Sequence, residues 1–377
     1  MRLRHAPAPP VGPPRSSPAL LVFPLAIILA ITLIDIQTPQ AVHLGPFLAV
    51  APAITASFAG PRTTGAVGVL AVVAQLAIGH LHDGSMSANY QAQIGALVVI
   101  SAMVTAFRYV TDRRERRLSQ VRSVAVAAQE VLLRPLPDRV GQLRIAAVYL
   151  AAEEEAQIGG DLYAAVRTES ATRLLIGDVR GKGLAAIGDA AVLIGAFRGS
   201  AYRHLTLPGI AAHMGNAVRW NWTHTAVDEG DAAESFVTAL VVDVYDDRAV
   251  AGMVNCGHPP LLLVHRGAIR TLEPDEPALP LGLDMAPSGD CGVETFGFED
   301  DDLLVLYTDG VIEARDADGT FFPLADRVAA WRGDSPESLA GHIRDSLLQH
   351  AGGRVNDDAA IVVAARCPLP PAAGYAE

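Results

Sequence analysis

The chain has 377 residues, an apolar fraction of 50% and a net charge of −12, too long for one small domain and too hydrophobic for a wholly disordered one. Residues 1–117 hold nine Arg against four acidic residues, so the remaining 260 carry about −17; a part that acidic argues against binding nucleic acid, whose phosphates need clustered Lys and Arg. The three cysteines, Cys256, Cys291 and Cys367, form no C-x-x-C pair, which excludes a zinc finger or a dithiol redox motif.

The first 18 residues contain six prolines together with Arg2, Arg4 and Arg15, and residues 1–17 read as a disordered tail with too little apolar surface to order. Four apolar stretches follow, at about 18–36, 44–60, 64–81 and 92–110. Each is about long enough, at 1.5 Å per residue, to cross a ~30 Å hydrocarbon core, so residues 18–110 are expected to be a four-helix membrane domain in contact with the lipid bilayer. Pro24, Pro46 and Pro52 lie inside the first two stretches, which membrane helices tolerate when neighbours satisfy the freed carbonyls. Arginines precede the first stretch, lie between the second and third (Arg62) and follow the fourth (Arg108, Arg113, Arg114, Arg116, Arg117), whereas the other two loops have neither Lys nor Arg. The positive-inside bias then places both termini in the cytoplasm of a multi-pass cell-membrane protein. Asp35 and Asp83 fall at span ends and are expected to be solvated, leaving no buried charge cluster that would mark a transport path.

Residues 111–137 read as a linker helix, with Leu118, Val121, Val124, Ala128, Val131 and Leu132 at spacings of three and four before Pro135 and Pro137 stop it. Such a helix is suited to carrying a signal, to forming a homodimer seam, or to serving as a spacer. From residue 138 to 367 the pattern is strand-rich: 144–152, 162–167, 173–178, 236–245, 249–255, 261–265, 303–308 and 359–365 are apolar, β-favouring runs. Helical patterns cover 184–202, 208–222, 324–331 and 336–350. Strands in consecutive pairs with helices grouped between them indicate an α+β layered domain. Residues 368–377 read as a second disordered tail.

Acidic residues recur where strands run into glycine-rich turns: Asp161 in Gly159-Gly-Asp-Leu-Tyr163, Asp178 in Gly177-Asp-Val-Arg-Gly-Lys-Gly183, Asp309 in Tyr307-Thr-Asp-Gly310, and Asp357 or Asp358 ahead of Ala359. A carboxylate at a strand end is held by rigid backbone, and adjacent glycine leaves room for a metal, water and phosphate. An all-oxygen set suits hard divalent cations such as magnesium or manganese. Gly181-Lys182-Gly183 opens an apolar helix whose amides can face an anion, and Lys182 is the one lysine of the chain. Asn255, Gly257 and His258 read as a tight turn beneath the site. No C-x5-R signature and no G-x-x-x-x-G-K-[ST] loop is present, so neither a cysteine nucleophile nor a nucleotide phosphate loop is indicated.

These motifs, with Phe236-Val-Thr-Ala-Leu240, Asn255-Cys-Gly-His-Pro-Pro260, Tyr307-Thr-Asp-Gly-Val-Ile-Glu-Ala314 and Asp357-Asp-Ala-Ala-Ile-Val-Val363 in that order, resemble the PPM-type (2C-like) serine/threonine phosphatases and within them the bacterial SpoIIE-type branch. The resemblance covers about residues 128–366. It implies an α-β-β-α sandwich of two antiparallel sheets and two divalent cations, with Asp178 bridging them. Asp309 and Asp357 would complete one metal site, and Asp161 with the main-chain carbonyl of Val179 the other. It further implies hydrolysis by a metal-activated water held through Asp178 and Asp309; the helix-opening amides place Gly181, Lys182 and Gly183 as phosphate-proximal candidates. The implied substrate is a phosphoprotein such as a phosphorylated anti-anti-sigma factor. Ala164 stands where the family usually has Asp, which bears on substrate choice rather than on a ligand. Two further readings stand beside the enzyme: a membrane sensor or scaffold with little turnover, and a hydrolase of small phosphate esters.

Overall fold

The computed structural model describes residues 18–37, 44–81, 88–152, 159–201, 203, 205–225, 235–276, 278–283 and 291–367. Both expected tails and Asp83 lie outside the described residues. The chain divides into two compact units, Met1–Gln120 and Val121–Glu377.

The first unit is helical. A 3-10 turn, Pro18–Leu21, leads into α1 (Val22–Gln37); a second 3-10 turn, Gly45–Ala49, leads into α2 (Val50–Phe58); α3 (Pro61–Leu81) and α4 (Ala88–Leu132) follow. Three segments, Ala19–Gln37, Pro61–Leu81 and Asn89–Gln120, are long and apolar enough to cross a membrane, whereas the apolar helix over Gly45–Phe58 is shorter. The stretch expected over 44–60 is shortened at both ends for local reasons. Pro46 falls in the opening 3-10 turn, and Ala59 turns extended (φ −115°, ψ 158°) ahead of Gly60, a poor helix former. Pro61 then begins α3, where its missing N–H is harmless. The linker helix is not a separate element: α4 runs unbroken from the last apolar stretch to Leu132, short of Pro135. Asp35 differs from the solvated position expected for it, being 3% exposed with its carboxylate accepting a hydrogen bond from Leu44 N–H at 2.7 Å.

In the second unit, one sheet has the order β1 (Arg139–Val140), β2 (Leu143–Leu150), β11 (Ala359–Arg366), β10 (Leu303–Tyr307), β7 (Leu261–His265), β8 (Ala268–Leu272). The other has the order β3 (Leu162–Arg167), β4 (Ala171–Val179), β5 (Val237–Tyr245), β6 (Val250–Cys256), β9 (Glu294–Gly297). All pairings are antiparallel. The period-2 alternation of the strands explains the layering. On β10, Leu304 and Leu306 join the core shared with the second sheet, while Leu303, Val305 and Tyr307 join a separate core on the outer face. β11 divides the same way, Ala360, Val362 and Ala364 inward and Ile361 and Val363 outward. Helices α5 (Leu184–Ser200) and α6 (Leu207–Thr225) cover the second sheet. The outer face of the first is covered by α8 (Leu324–Ala330) and α9 (Pro336–His350), with the one-turn α7 (Asp309–Ile312) between β10 and α8. This is the α-β-β-α sandwich implied by the resemblance.

A buried ion pair crosses the second sheet. Arg173 on β4 faces Asp243 on β5 in register, and its guanidinium donates from Nε to Oδ1 at 2.6 Å and from Nη2 to Oδ2 at 2.8 Å. Removing one partner strands a buried charge, whereas removing both does not. Asp243→Ala should therefore cost about 3–5 kcal/mol in urea denaturation of a 121–377 fragment, and the double variant Arg173→Met/Asp243→Leu should cost clearly less; equal losses would refute this account of the pair.

Candidate metal centre

Two sheets supply the acidic residues. Asp161 precedes β3 and Asp178 lies near the end of β4, both in the second sheet; Asp309 heads α7 directly after β10 of the first. Their carboxylates each offer an oxygen within 4.8 Å of the other two. All three are raised in pKa. Burial is the largest cause in each case, joined at Asp161 by the charge of Asp178 and at Asp309 by that of Asp357. Asp178 is pushed up to about 7 by burial and then by Asp309 and Asp357.

The surrounding residues hold this cluster together. Thr308 Oγ donates to Asp161 Oδ2 at 2.7 Å and accepts from Ala360 N–H at 2.9 Å, so one hydroxyl ties the second sheet's carboxylate to the first sheet's backbone. Gly160 lies so close to Val179 that a Cβ would collide with the Val179 carbonyl oxygen, and a Cβ on Gly310 would collide with the Asp358 carbonyl oxygen. Only glycine permits these approaches. Gly181 (φ +112°) and Gly183 (φ +86°) occupy the left-handed half of backbone space between β4 and α5.

Asp357 stands at the rim, more than half exposed, with its Oδ1 3.4 Å from Lys182 Nζ. Asp358 is buried and engaged otherwise: its carboxylate accepts from Tyr149 OH at 2.6 Å, Gly159 N–H at 2.6 Å and Ala152 N–H at 2.7 Å. Of the two neighbours, Asp358 clamps the backbone ahead of Asp161, whereas Asp357 stands exposed beside Lys182. Thr308 and Tyr149 were not singled out from sequence. Thr308 sits inside a quoted motif and was readable as a hydroxyl beside a ligand, whereas no local signal marks Tyr149, which meets Asp358 across 209 positions.

The donor set consists of carboxylate oxygens with neither His nor Cys among the gathered groups. Hard divalent cations fit it, since oxygen ligands and uncompensated negative charge are what such ions prefer. Among the described residues, the cation recorded in an ion pair with this constellation is Lys182.

Beneath the cluster, Asn255 and His258 close a tight turn on each other, Asn255 Nδ2 donating to the His258 carbonyl at 2.8 Å and His258 N–H to Asn255 Oδ1 at 2.7 Å. The His258 ring is buried between Thr238 Oγ (3.0 Å from Nδ1) and the Tyr307 carbonyl (3.1 Å from Nε2). A carbonyl only accepts, so Nε2 carries the hydrogen and Nδ1 accepts from Thr238. The imidazole is thus a neutral brace between β5 and β10.

The family model for stage II sporulation protein E (SpoIIE) matches residues 168–366. Protein IcfG of Synechocystis sp. is 26% identical over 259 residues, covering 61% of this chain and 38% of the relative, so the chain spans well under half of that relative's length. Phosphoserine phosphatase RsbU of Bacillus subtilis is 24% identical over 247 residues, covering 64% of this chain and 69% of the relative. Among solved structures, the SiaA-PP2C domain of Pseudomonas aeruginosa aligns with a TM-score of 0.54 at 15% identity, over 68% of this chain and 99% of that one, and so shares the fold.

Burial lowers the pKa of His258 to about 3, partly offset by its bond to the Tyr307 carbonyl. The unfolded chain has an ordinary histidine near 6.5, so between pH 6.5 and about 3 the unfolded state binds the extra proton. Stability from this group is intact above pH 6.5 and is lost as pH falls below it, by about 1 kcal/mol between pH 7 and 5.5. Denaturation midpoints across this range should decline less steeply in His258→Gln than in the wild type; matching slopes would remove the histidine from the account.

Proposed function

Because the chain belongs to the SpoIIE family and carries a PP2C-type phosphatase domain, we propose that it is a metal-dependent protein serine/threonine phosphatase anchored in the cell membrane by its helical unit. Its substrate is a phosphoserine or phosphothreonine on a cytoplasmic regulatory protein of the anti-anti-sigma type. The observation that carries this reading is the convergence of Asp161, Asp178 and Asp309, from three separate segments, within 4.8 Å. The name of the Bacillus relative, a phosphoserine phosphatase, supports the class of ester.

Asp178 is central in the proposed ligand set, sharing its position between Asp161 on one side and Asp309 on the other. Asp357 joins Asp309, and the Val179 carbonyl joins Asp161, to complete the set for two manganese or magnesium ions. When bound, such ions supply Lewis acidity toward a phosphoryl oxygen and make water a competent nucleophile near neutral pH. Thr308 keeps the Asp161 carboxylate oriented, and Asp358 fixes the Gly159 backbone that leads into it. Lys182, flanked by glycines in left-handed conformation, is exposed and is free to turn from Asp357 toward a phosphoryl oxygen.

Membrane anchorage rests on how the first unit is built. Arg108 Nε donates to the Ala59 carbonyl at 3.0 Å, which brings the end of α2 beside the arginine-rich part of α4. Tyr90 at the start of α4 bonds the Gln75 carbonyl near the end of α3, and Asp35 near the end of α1 bonds Leu44 ahead of α2. The helices therefore alternate in direction, with the arginines gathered at one end. This supports four passes, the second of them short, with both termini and the phosphatase unit cytoplasmic.

Assayed with manganese on an aryl phosphate and on a phosphorylated anti-anti-sigma-type protein, the purified chain should turn over both. Asp178→Asn and Asp309→Asn should each lose about 10³-fold or more, the scale expected when a site's main electrostatic stabilisation is removed; Lys182→Met should lose about 10–100-fold. Retained binding of the regulator without any turnover would sink the enzyme reading.

A further inference from the structure

Between α3 and α4 of the helical unit lies a cavity of about 1030 Å³. The two helices touch beside it: a Cβ on Gly68 would stand 3.0 Å from the Ser101 Cβ, and one on Gly65 3.5 Å from the Thr105 Cγ2. Small residues let membrane helices approach in this way. Gly65, Gly68, Ala102 and Ala106 also line the cavity, so no long side chain fills the trough next to the contact.

The trough has two unlike ends. It runs along α3 from Arg62 to Val73 and along α4 from Val98 to Tyr109, with Asp112 and Arg116 beyond. Either stretch is ~17 Å long at ~1.5 Å per residue, close to the ~15 Å depth of one leaflet of a ~30 Å hydrocarbon core. Val69, Val72, Val73 and Val98 line the deep end. At the mouth, Arg116 pairs with Asp112 at 2.8 Å, whereas Arg62 is exposed and, among the described residues, no ion pair is recorded for it. Two arginines against one aspartate leave the mouth with a net positive charge. The start of α3 adds to it: no acidic residue stands in the first turn, whose N–H groups carry partial positive charge.

We infer that this trough holds an anionic glycerophospholipid of the cytoplasmic leaflet, with its phosphodiester at Arg62 and an acyl chain along the valines. The inference rests on the membrane reading of the helical unit and not on the phosphatase reading. Charge selects a lipid over a protein occupant. A second copy packed alongside in the same bilayer would bring its own Arg62 and Arg116 to the same level, where they repel. A phosphodiester brings one negative charge, and basic pockets between membrane helices on the cytoplasmic side suit such headgroups. Inorganic phosphate would meet Arg62 but leave the apolar wall beneath it uncovered, whereas a lipid satisfies both ends.

The full chain is reconstituted in phosphatidylcholine nanodiscs with increasing fractions of a phosphatidylglycerol bearing a photoreactive acyl chain, and crosslinked peptides are mapped by mass spectrometry. Labelling of residues 69–73 and 98–102 should saturate with phosphatidylglycerol, whereas photoreactive phosphatidylcholine should label them no more than it labels α1. Arg62→Gln should raise the half-saturating fraction about fivefold. Arg117→Gln, an arginine that does not line the trough, should leave it unchanged. Ala102→Trp, which fills the trough from an exposed position and guards against misfolding of the first variant, should abolish saturable labelling. Equal labelling by the two lipids, or equal effects of Arg62→Gln and Arg117→Gln, overturns the inference in favour of unselective lipid contact. A dimer that Ala102→Trp dissociates, without saturable labelling, overturns it in favour of a second copy. A chain that stays monodisperse in water without lipid or detergent overturns the membrane reading beneath it, which separates that failure from the others.

Discussion

Like charges held within 4.8 Å of one another push apart, and the architecture of the second unit is arranged to resist that push. Asp178 lies near the end of β4, paired with Thr238 of β5 while the β3 register reaches the adjacent Gly177, so its backbone is held close to both neighbouring strands. Asp309 follows β10, with Gly310 abutting the Asp358 carbonyl. Asp161 belongs to the other sheet and is drawn in by Thr308. The cluster therefore exists only when the two sheets are packed, and the core between them, from Leu304, Leu306 and Val362 on one side to Leu174 and Ile176 on the other, is a precondition of the site. Cations that neutralise the cluster would by the same logic stabilise the packed sheets, coupling metal binding to folding.

Much of this was legible because strand ends are locally encoded. Unbroken apolar runs in 303–307 and 359–365 mark strands buried on both faces, and an acidic residue at a strand end, beside Gly310 in the first case, marks a place where something approaches the backbone. What could not be read was the division of labour between Asp357 and Asp358. Neighbouring residues point to opposite sides, but which of them holds Tyr149 is decided by β2 pairing with β11 more than two hundred positions away. The strands missed from sequence, β1, β8 and β9, are edges of their sheets. Edge strands bury little and carry no alternation; β8 is largely exposed and is announced mainly by Arg266 and Gly267, both at positive φ.

The helical unit shows the opposite limit. Hydropathy finds apolar stretches well, yet it scores Gln75 and Tyr90, which hydrogen-bond to each other, as isolated polar residues. Their meeting depends on Gly45 and Gly79, whose lack of a side chain lets the amide of Gln75 and the ring of Tyr90 come against the backbone. Glycine in an apolar run reads as flexibility or as helix packing; here it makes room for polar groups.

The lone lysine illustrates how weak pairing can be informative. Lys182 and Asp357 lie 3.4 Å apart with 43% and 58% of their side chains exposed, and ion pairs of that kind contribute between nothing and about 1 kcal/mol. Such a contact does not hold a loop in place; glycines at positions 181 and 183 and the start of α5 do that. A cation held so loosely beside an acidic cluster can exchange its carboxylate for another anion at little cost. The adjacent carboxylates would disfavour a bare phosphate there, so the exchange becomes favourable only once the cluster's own charge has been neutralised, which makes the proposed role of Lys182 conditional on the metal sites being filled.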